Sequence, residues 1–287
     1  MAHKIQVKRG NKADLPTLDA GEFGLCQDTN ELFIGNDGNK KIFPTEALRT
    51  ARFVIGTSTA GWTAADCDYL CDGTADQTEI NAAITALPAT GGEIVILDGT
   101  YNIAAKIDVT KDNVSIVGNG SATILKRMFN SSVAEGVITL TSRSGCKIAN
   151  LQIDGNKTSH SNSNNYGIYL NASNNNTITG NTCNNNSSTG IRLTSSSSDN
   201  TVTGNTCNNN SSTGIYLASS SNNTITGNTC IRGTGQTSDY ASNQYTIRLY
   251  GTSNNYNLIS SNNCMGKAVT NGGGTGNTLV NNKFDAT

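Results

Sequence analysis

Hydrophobic and polar positions alternate over very short segments in the second half of the chain, and these segments repeat. The pattern Asn-Thr-Ile-Thr-Gly-Asn-Thr-Cys occupies residues 176–183 and 223–230, and residues 200–207 repeat it with Val in place of Ile. A Gly-Ile-x-Leu segment keeps step with it at 167–170, 190–193 and 214–217. The three Cys residues lie 24 and 23 residues apart. A period in the twenties indicates a solenoid in which each repeat forms one coil.

The segments inside each repeat read as short strands. Alternation over three or four residues is typical of a strand with one buried face, and the Asn, Ser, Gly and Thr residues between the segments favour turns. The Leu content is too low for leucine-rich repeats, and the period is too short for a propeller blade. A parallel β-helix fits, with coils stacked at about 4.8 Å. About eight such coils would make a shaft of roughly 40 Å.

Stacking the repeats predicts which residues face the interior. The predicted inward columns are Ile178/Val202/Ile225, the Ile and Leu of each Gly-Ile-x-Leu segment, and Cys183/Cys207/Cys230. In flanking segments that match the repeat less closely, the Cys column extends to Ile153 on one side and to Cys264 and Phe284 on the other. The residues Asn181, Asn205 and Asn228 share one register, which predicts a ladder of hydrogen-bonded amides.

Composition narrows the function classes. The net charge of −1 argues against a nucleic-acid partner, and no apolar run is long enough to insert into a membrane. Residues 1–9 lack an apolar signal core, so we expect folding in a bacterial cytoplasm without a signal peptide. Eight cysteines could indicate disulfides, but four lie in one interior column and are expected to stay reduced. The CxxxC spacing of Cys67 and Cys71 is a weak metal signal, so we expect no metal and no cofactor.

The first part of the chain follows a different pattern. Residues 1–47 contain an alternating segment near residue 5 and two segments, 21–28 and 31–35, that read as a hairpin turning at Thr29 and Asn30. Fewer than 50 residues bury little surface alone. We therefore expect a small β-rich module at 1–47 that is completed by partner chains, and a connector with one strand at 48–65.

This first module resembles the N-terminal module of phage tail appendages. The similarity rests on Lys8-Arg9-Gly10, on Leu18 to Gly24, and on Asp28 to Gly38. Similar segments begin phage tail fibres, phage hyaluronate lyases and receptor-binding tropism determinants. The resemblance implies attachment to a phage tail or baseplate protein through residues 1–47, usually within an intertwined homotrimer.

Residues 66–110 resemble the first coil of pectate-lyase-like β-helices. The matching residues are Asp72 to Asp76, Glu79 to Ile84, Gly91 to Leu97, and Gly99 to Tyr101. Asp76 or Thr78 can cap a helix near 76–87, and Ile80, Ala83, Ile84 and Leu87 give that helix an apolar face. Because the open end of a solenoid exposes its core, this helix is expected to cover it. The resemblance implies an all-β fold over 66–287, a right-handed single-stranded parallel β-helix.

Two coils carry longer loops at the same turn, after Ile153 and after Cys230, with two short turns between them. This arrangement predicts a groove wide enough for a sugar chain, although ordinary exposed loops would give the same lengths. The predicted ligand-binding residues on its walls are Lys157, Tyr166, Arg232, Tyr240 and Tyr245.

The outward residue of each Gly-Ile-x-Leu strand defines a second surface. This column reads Tyr169, Arg192, Tyr216 and Arg248, which can stack as cation–π pairs. Tyr and Arg are also enriched in protein interfaces. We expect a subunit contact of a homotrimer here, with a sugar-binding platform as the alternative.

Acidic residues are too sparse for an obvious active site. Glycoside hydrolases need two carboxyls roughly 5–9.5 Å apart, yet Asp199 is the single acid between residues 155 and 238. Asp154 and Asp239 belong to coils that are about 14 Å apart by stacking. These two acids and His160 are the weak catalytic candidates.

The sequence thus favours a phage or prophage tail fibre or spike in the virion tail. We expect it to bind a receptor on the host cell surface without catalysis, and we expect this receptor to be a polysaccharide. The alternatives are a polysaccharide lyase or glycoside hydrolase acting in a groove or between subunits, a β-helix protein similar to periplasmic copper-maturation repeats, and a structural spacer.

Overall fold

The computed structural model describes residues 7–27, 31–35, 39–41, 51–230, 245–264 and 270–284. The chain divides into two compact units, Met1–Thr50 and Ala51–Thr287. In the described residues no helix is long and apolar enough to cross a membrane.

The first unit holds a four-stranded sheet. Its strands are Val7–Gly10, Phe23–Cys26, Glu31–Gly35 and Asn39–Lys41, in that order across the sheet, with a 3-10 turn at Lys12–Asp14. Cys26 pairs with Glu31 in an antiparallel ladder, which confirms the predicted hairpin. Leu18 and Cys26 are the buried apolar residues among those described here. This small core agrees with the limited burial expected of so short a segment.

The second unit is a parallel β-helix built on two long parallel sheets. Sheet 1 has twelve strands, ten of which follow one continuous pairing path. Its strands are Arg52–Thr57, Tyr69–Cys71, Gly92–Ile96, Gly99–Ile103, Val114–Arg127, Lys147–Asp154, Thr177–Thr179, Thr182–Asn184, Thr201–Thr203, Thr224–Thr226, Leu258–Ser260 and Thr278–Val280. Eight coils of the described chain begin at Gly92, Val114, Lys147, Thr177, Thr201, Thr224, Leu258 and Thr278, as the repeat predicted.

Sheet 2 forms a second face of the solenoid. Its seven strands are Ile107–Val109, Glu135–Thr141, Asn165–Asn171, Thr189–Thr194, Thr213–Ala218, Tyr245–Tyr250 and Thr270–Asn271. A short two-stranded sheet, Asn263–Cys264 with Lys283–Phe284, continues the Cys register. Within the segment 48–65, Arg52–Thr57 pairs in parallel with Gly92–Ile96. Nearby, Trp62 Nε1 donates a hydrogen bond to the carbonyl of Asp98 at 2.7 Å.

The interior columns are confirmed. Ile178, Val202 and Ile225 pair in register and are fully buried. The Ile and Leu residues of the Gly-Ile-x-Leu strands are equally buried, and Ile153 pairs with Cys183 as predicted. Gly180, Gly204 and Gly227 share one turn position with φ between 63° and 64°, which explains why Gly recurs there.

Two Asn ladders run through the coils. In the first, Nδ2 of Asn181, Asn205 and Asn228 each donates to Oδ1 of the next Asn at 3.0 Å, and the series continues to Asn262 and Asn282. This confirms the predicted ladder. A second ladder, which we did not predict, joins Asn176, Asn200, Asn223, Asn257 and Asn277.

The single α-helix of the described chain, Gln77–Ala86, confirms the predicted cap. Its apolar face, Ile80, Ala83, Ile84 and Leu87, is buried against the first coils. Asp76, one of the two predicted caps, is the N-cap residue, but its side chain makes no capping hydrogen bond. Its carboxylate instead accepts hydrogen bonds from the amides of Gly73 at 2.8 Å and Asn102 at 2.6 Å. Asp76 therefore joins the helix to the coil below.

All eight cysteines are free thiols, and Cys67 alone among them is not buried. Hydrogen bonds to Cys183 and Cys230, together with burial, raise the pKa of Cys207. Burial raises the pKa of Cys264 to about 12. Because the thiolate is the reactive form, the interior column should be inert in the folded protein.

We expect Ellman's reagent to modify one thiol per chain rapidly in the native protein and the other seven only after unfolding. Cys67→Ser should remove the rapid phase and leave the slow one unchanged. Rapid labelling of several thiols in the native state of that variant would contradict the buried column.

Candidate functional site

The outward residues of sheet 2 form a continuous column of aromatic and basic side chains. Tyr169 pairs in register with Arg192, Arg192 with Tyr216, and Tyr216 with Arg248. Each residue sits on its own coil, because the repeat places the same strand position on every rung. We call these four residues the Tyr–Arg column.

Each guanidinium of the column lies between two tyrosine rings. Arg192 Cζ is 4.6 Å from the ring centroid of Tyr166 and 4.7 Å from that of Tyr216. Arg248 Cζ is 4.2 Å from the ring centroid of Tyr245 and 4.8 Å from that of Tyr250. Such cation–π contacts hold the guanidinium planes in fixed orientations while their edges remain able to donate hydrogen bonds.

Tyr166 is a buried residue that contacts Arg192 of the column. Its side chain is only 2% exposed, and its hydroxyl accepts a hydrogen bond from Arg192 Nη1 at 2.7 Å. Its backbone carbonyl accepts another from Nη2 of the fully buried Arg127, also at 2.7 Å. Burial raises the pKa of Tyr166, so its hydroxyl remains protonated at neutral pH.

A groove of about 430 Å³ runs beside the column. Tyr169, Arg192, Tyr216 and Tyr250 provide its aromatic and basic side, and small residues such as Thr194 and Ser219 line the rest. No acidic residue is among its described lining. The rings of Tyr216 and Tyr250 stack with centroids 5.9 Å apart at an interplanar angle of 26°, and Tyr250 is 53% exposed. This combination of flat aromatic surface and hydroxyl groups suits a carbohydrate ring.

A second, smaller pocket of about 230 Å³ lies at the turn after Ile153. Lys157 Nζ reaches over one coil and donates to the carbonyl oxygen of Asn209 at 2.7 Å and to its Oδ1 at 2.9 Å. Asp154 Oδ1 accepts a hydrogen bond from Asn185 Nδ2 at 3.2 Å. Burial lowers the pKa of Lys157. Because these polar groups form hydrogen bonds with one another, the pocket presents few free donors or acceptors to a ligand.

The structure divides the predicted ligand-binding residues between these two places. Lys157 lies in the turn pocket, whereas Tyr166 and Tyr245 contact the arginines of the column. Tyr166 is buried and does not line the groove beside the column, because Arg192 lies over its ring and Arg127 binds its backbone carbonyl. Its predicted contact with a ligand stays a prediction. The predicted residues Arg232, Asp239 and Tyr240 lie outside the described residues.

The candidate catalytic residues do not form a pair among the described residues. The Asp154 carboxylate accepts hydrogen bonds from the side-chain amide of Asn185 and from the backbone amide of Asn156. His160 belongs to the same loop, where burial and the nearby charge of Arg127 lower its pKa. Cys71, Asp76 and Glu79 form one compact group of ligand atoms, but the carboxylate of Asp76 is already engaged by backbone amides.

Two residues of the site, Tyr250 and Arg127, were not predicted from the sequence. Tyr250 follows Arg248 by two positions and so faces outward on the same strand, a signal that strand alternation contains. Arg127 ends the strand Val114–Arg127 without any repeat to mark it, and only the packing shows that it lies beneath Tyr166.

Comparison with known families finds two matches that together span most of the chain. Residues 103–287 match the family described as periplasmic copper-binding protein (NosD). Residues 5–38 match the N-terminal domain of the major tropism determinant. A comparison with the curated proteins finds no significant match.

Solved structures with the same architecture include a viral protein and enzymes. ORF18 of Geobacillus virus E2 is 15% identical over 98% of this chain and 74% of its own, with a TM-score of 0.54. An alginate lyase from Paenibacillus sp. str. FPU-7 is 17% identical over 72% of this chain and 74% of its own, with a TM-score of 0.55. An endo-xylogalacturonan hydrolase from Aspergillus tubingensis is 20% identical over 68% of this chain and 56% of its own, with a TM-score of 0.52. At these identities the similarities establish the parallel β-helix fold.

Proposed function

The chain belongs to the NosD family, and we propose that it is a phage or prophage tail fibre whose β-helix binds a polysaccharide on the host surface. The match of residues 5–38 to the tropism-determinant domain supports a place in the virion tail. Residues 1–47 attach the chain to a tail or baseplate protein, and the solenoid is presented to the host cell.

The groove beside the Tyr–Arg column is the observation that carries the proposal. It joins stacked aromatic rings, guanidinium donors and small hydroxyl residues on one face of a rigid shaft. Glycan sites combine apolar faces for sugar rings with a few oriented hydrogen-bond donors. Sheet 2 supplies such a surface at a fixed spacing, because every rung contributes one side chain.

The proposal assigns the homotrimer contact to residues 1–47. The Tyr–Arg column, which sequence reasoning favoured as a subunit contact, then remains open to the ligand. Sedimentation equilibrium of the full chain should give the mass of three chains of 30.0 kDa each. Tyr216→Ala, which removes one central ring of the column, should leave that mass unchanged, and a monomeric variant would instead assign the column to the subunit contact.

Copper binding, which the family description names, does not fit the described residues. Copper favours thiolate, thioether and imidazole ligands. Here hydrogen bonding and burial raise the pKa of Cys207, and its neighbours in the column are buried with it. Burial also raises the pKa of Cys71, while the adjacent Asp76 carboxylate is bonded to amides. Protonated, enclosed thiols are poor ligands, so no step of the proposed function involves copper.

Polysaccharide cleavage is the alternative function, because an alginate lyase and an endo-xylogalacturonan hydrolase share the fold. Lyases release unsaturated products that absorb near 235 nm, and hydrolases release reducing ends. We expect neither signal when the full chain is incubated with the envelope polysaccharide that it binds. Product formation that is lost in Asp154→Asn would replace the binding proposal with a depolymerase.

Tyr216→Ala tests the proposed site. We expect the affinity for an envelope polysaccharide to fall at least about tenfold, because truncation of a central aromatic anchor costs about 2 kcal/mol or more and about 1.4 kcal/mol is tenfold. Titration calorimetry with polysaccharides extracted from candidate hosts would measure it. Tyr256→Ala is the matched control, since Tyr256 is 65% exposed and lies outside the groove. Equal affinities for both variants and the unmodified protein would remove the groove from the proposal.

A further inference from the structure

The two arginines of the Tyr–Arg column have no carboxylate partner among the described residues. The ion pairs of that part of the chain involve other groups, such as Arg52 with Glu93 and Arg143 with Asp112. Arg192 donates to the hydroxyl of Tyr166, and its buried Nε has no hydrogen-bond partner. Arg248 is held between the rings of Tyr245 and Tyr250.

Among the residues that the structure describes, no carboxylate compensates the charge of these arginines. The described lining of the groove consists of Arg192 and neutral residues. A guanidinium that is stacked on its faces presents its N–H donors along its edges, where they suit the two oxygens of a carboxylate. Since the rings already fix the plane of each guanidinium, little side-chain freedom remains to be lost when an anion binds.

The spacing of the arginines carries further information. Arg192 and Arg248 are separated by the single rung of Tyr216, and two rungs amount to about 10 Å. This distance is close to the length of one disaccharide unit in an extended glycan. The Tyr216 ring between them would face the intermediate sugar, so charged and aromatic contacts alternate along the shaft.

We propose that the ligand, which lies in the groove and along the adjoining Tyr–Arg column, is an acidic polysaccharide that carries a carboxylate on every second sugar. This inference rests on the proposed glycan-binding function. Arg192 and Arg248 each bind one carboxylate, and Tyr216 packs against the neutral sugar between them. The glycan lies along the stacking direction of the coils.

The test compares polymers that differ only in charge. The full chain would be titrated with unsulfated chondroitin, whose carboxylates alternate with neutral sugars, and with the same polymer after its carboxyl groups are reduced to alcohols. We expect the acidic form to bind at least about tenfold more tightly, because a hydrogen bond between a guanidinium and a carboxylate is stronger than one between a guanidinium and a neutral hydroxyl. Arg192→Gln and Arg248→Gln should each reduce this preference, and Arg52→Gln, which changes an arginine paired with Glu93, should not.

The outcomes separate this inference from the proposed function. Equal binding of both polymers that is lost in Tyr216→Ala would overturn the acidic ligand and retain a glycan site. Failure of these polymers and of all envelope polysaccharides to bind would overturn both. If Arg192→Gln impairs folding, Arg248→Gln and the reduced polymer still decide the question, and a preference unchanged in Arg248→Gln would contradict the assignment.

Discussion

Replacement of Asn205 by Ala should lower the free energy of unfolding by about 4 kcal/mol, the sum of two or three buried polar groups left without partners at about 1–3 kcal/mol each. Asn205 is 1% exposed. Its Oδ1 accepts hydrogen bonds from both the backbone N and Nδ2 of Asn181 at 3.0 Å. Its Nδ2 donates to the carbonyl of Ile178 at 2.8 Å and to Asn228 Oδ1 at 3.0 Å. The substitution therefore leaves polar groups of Asn181, Ile178 and Asn228, on the two neighbouring coils, without these hydrogen-bond partners.

The effect should depend on position within the ladder. Asn282 makes equivalent bonds to Asn262 and to the carbonyl of Ile259, but it lies on the last described rung and is half-buried. Water can replace the lost partners there, so Asn282→Ala should cost about 1 kcal/mol. Urea unfolding followed by circular dichroism would measure both variants. Similar small losses at the two positions would show that the ladder adds little to stability.

Replacement of Arg127 by Met should lower the free energy of unfolding by about 3 kcal/mol, because buried carbonyl groups lose their donor. Arg127 is fully buried, and burial lowers its pKa to about 10, so it is charged at neutral pH. Nη2 donates to the carbonyls of Tyr166 at 2.7 Å and Glu135 at 3.1 Å. Nη1 donates to Asn165 Oδ1 at 3.3 Å. Relief of the cost of burying the cation offsets part of this loss.

The same substitution should weaken glycan binding, because Arg127 holds Tyr166 and Tyr166 positions Arg192. Arg143→Met is the matched control. Arg143 also donates to backbone carbonyls, those of Thr141 and Thr110, but its side chain is 28% exposed and pairs with Asp112. Its loss should cost less than about 1 kcal/mol and leave binding unchanged. An Arg127→Met variant as stable as the unmodified chain would mean that the desolvation of the cation cancels its hydrogen bonds.

The repeat made most of the β-helix predictable. Each rung must bury Ile178, Val202 or Ile225 at the same position, so in-register similarity in sequence becomes in-register contact in space. The capping helix was predictable for the same reason, since an exposed solenoid end needs an apolar cover and Ile80, Ala83 and Ile84 supply one. The hairpin in residues 21–35 followed from local alternation around a turn.

The candidate site was predictable only in part. The alignment of Tyr169, Arg192, Tyr216 and Arg248 followed from the period alone. Loop length, by contrast, suggested that Tyr166 and Lys157 share a groove wall, and the structure separates them. Loop length gives no direction for a side chain, because that direction depends on which neighbour provides the better contact.

The sequence by itself therefore determined the architecture, the interior columns, one Asn ladder and the order of the outward column, since all of these follow from a periodic pattern. The tertiary structure alone decided that Arg127 binds the backbone carbonyl of Tyr166 and that Asp76 accepts a hydrogen bond from the amide of Asn102 on the next coil. It also decided that the arginines of the column contact tyrosine rings and have no carboxylate partner within the described part of the chain. These features depend on contacts between residues that no period relates, and such contacts are set by packing in three dimensions.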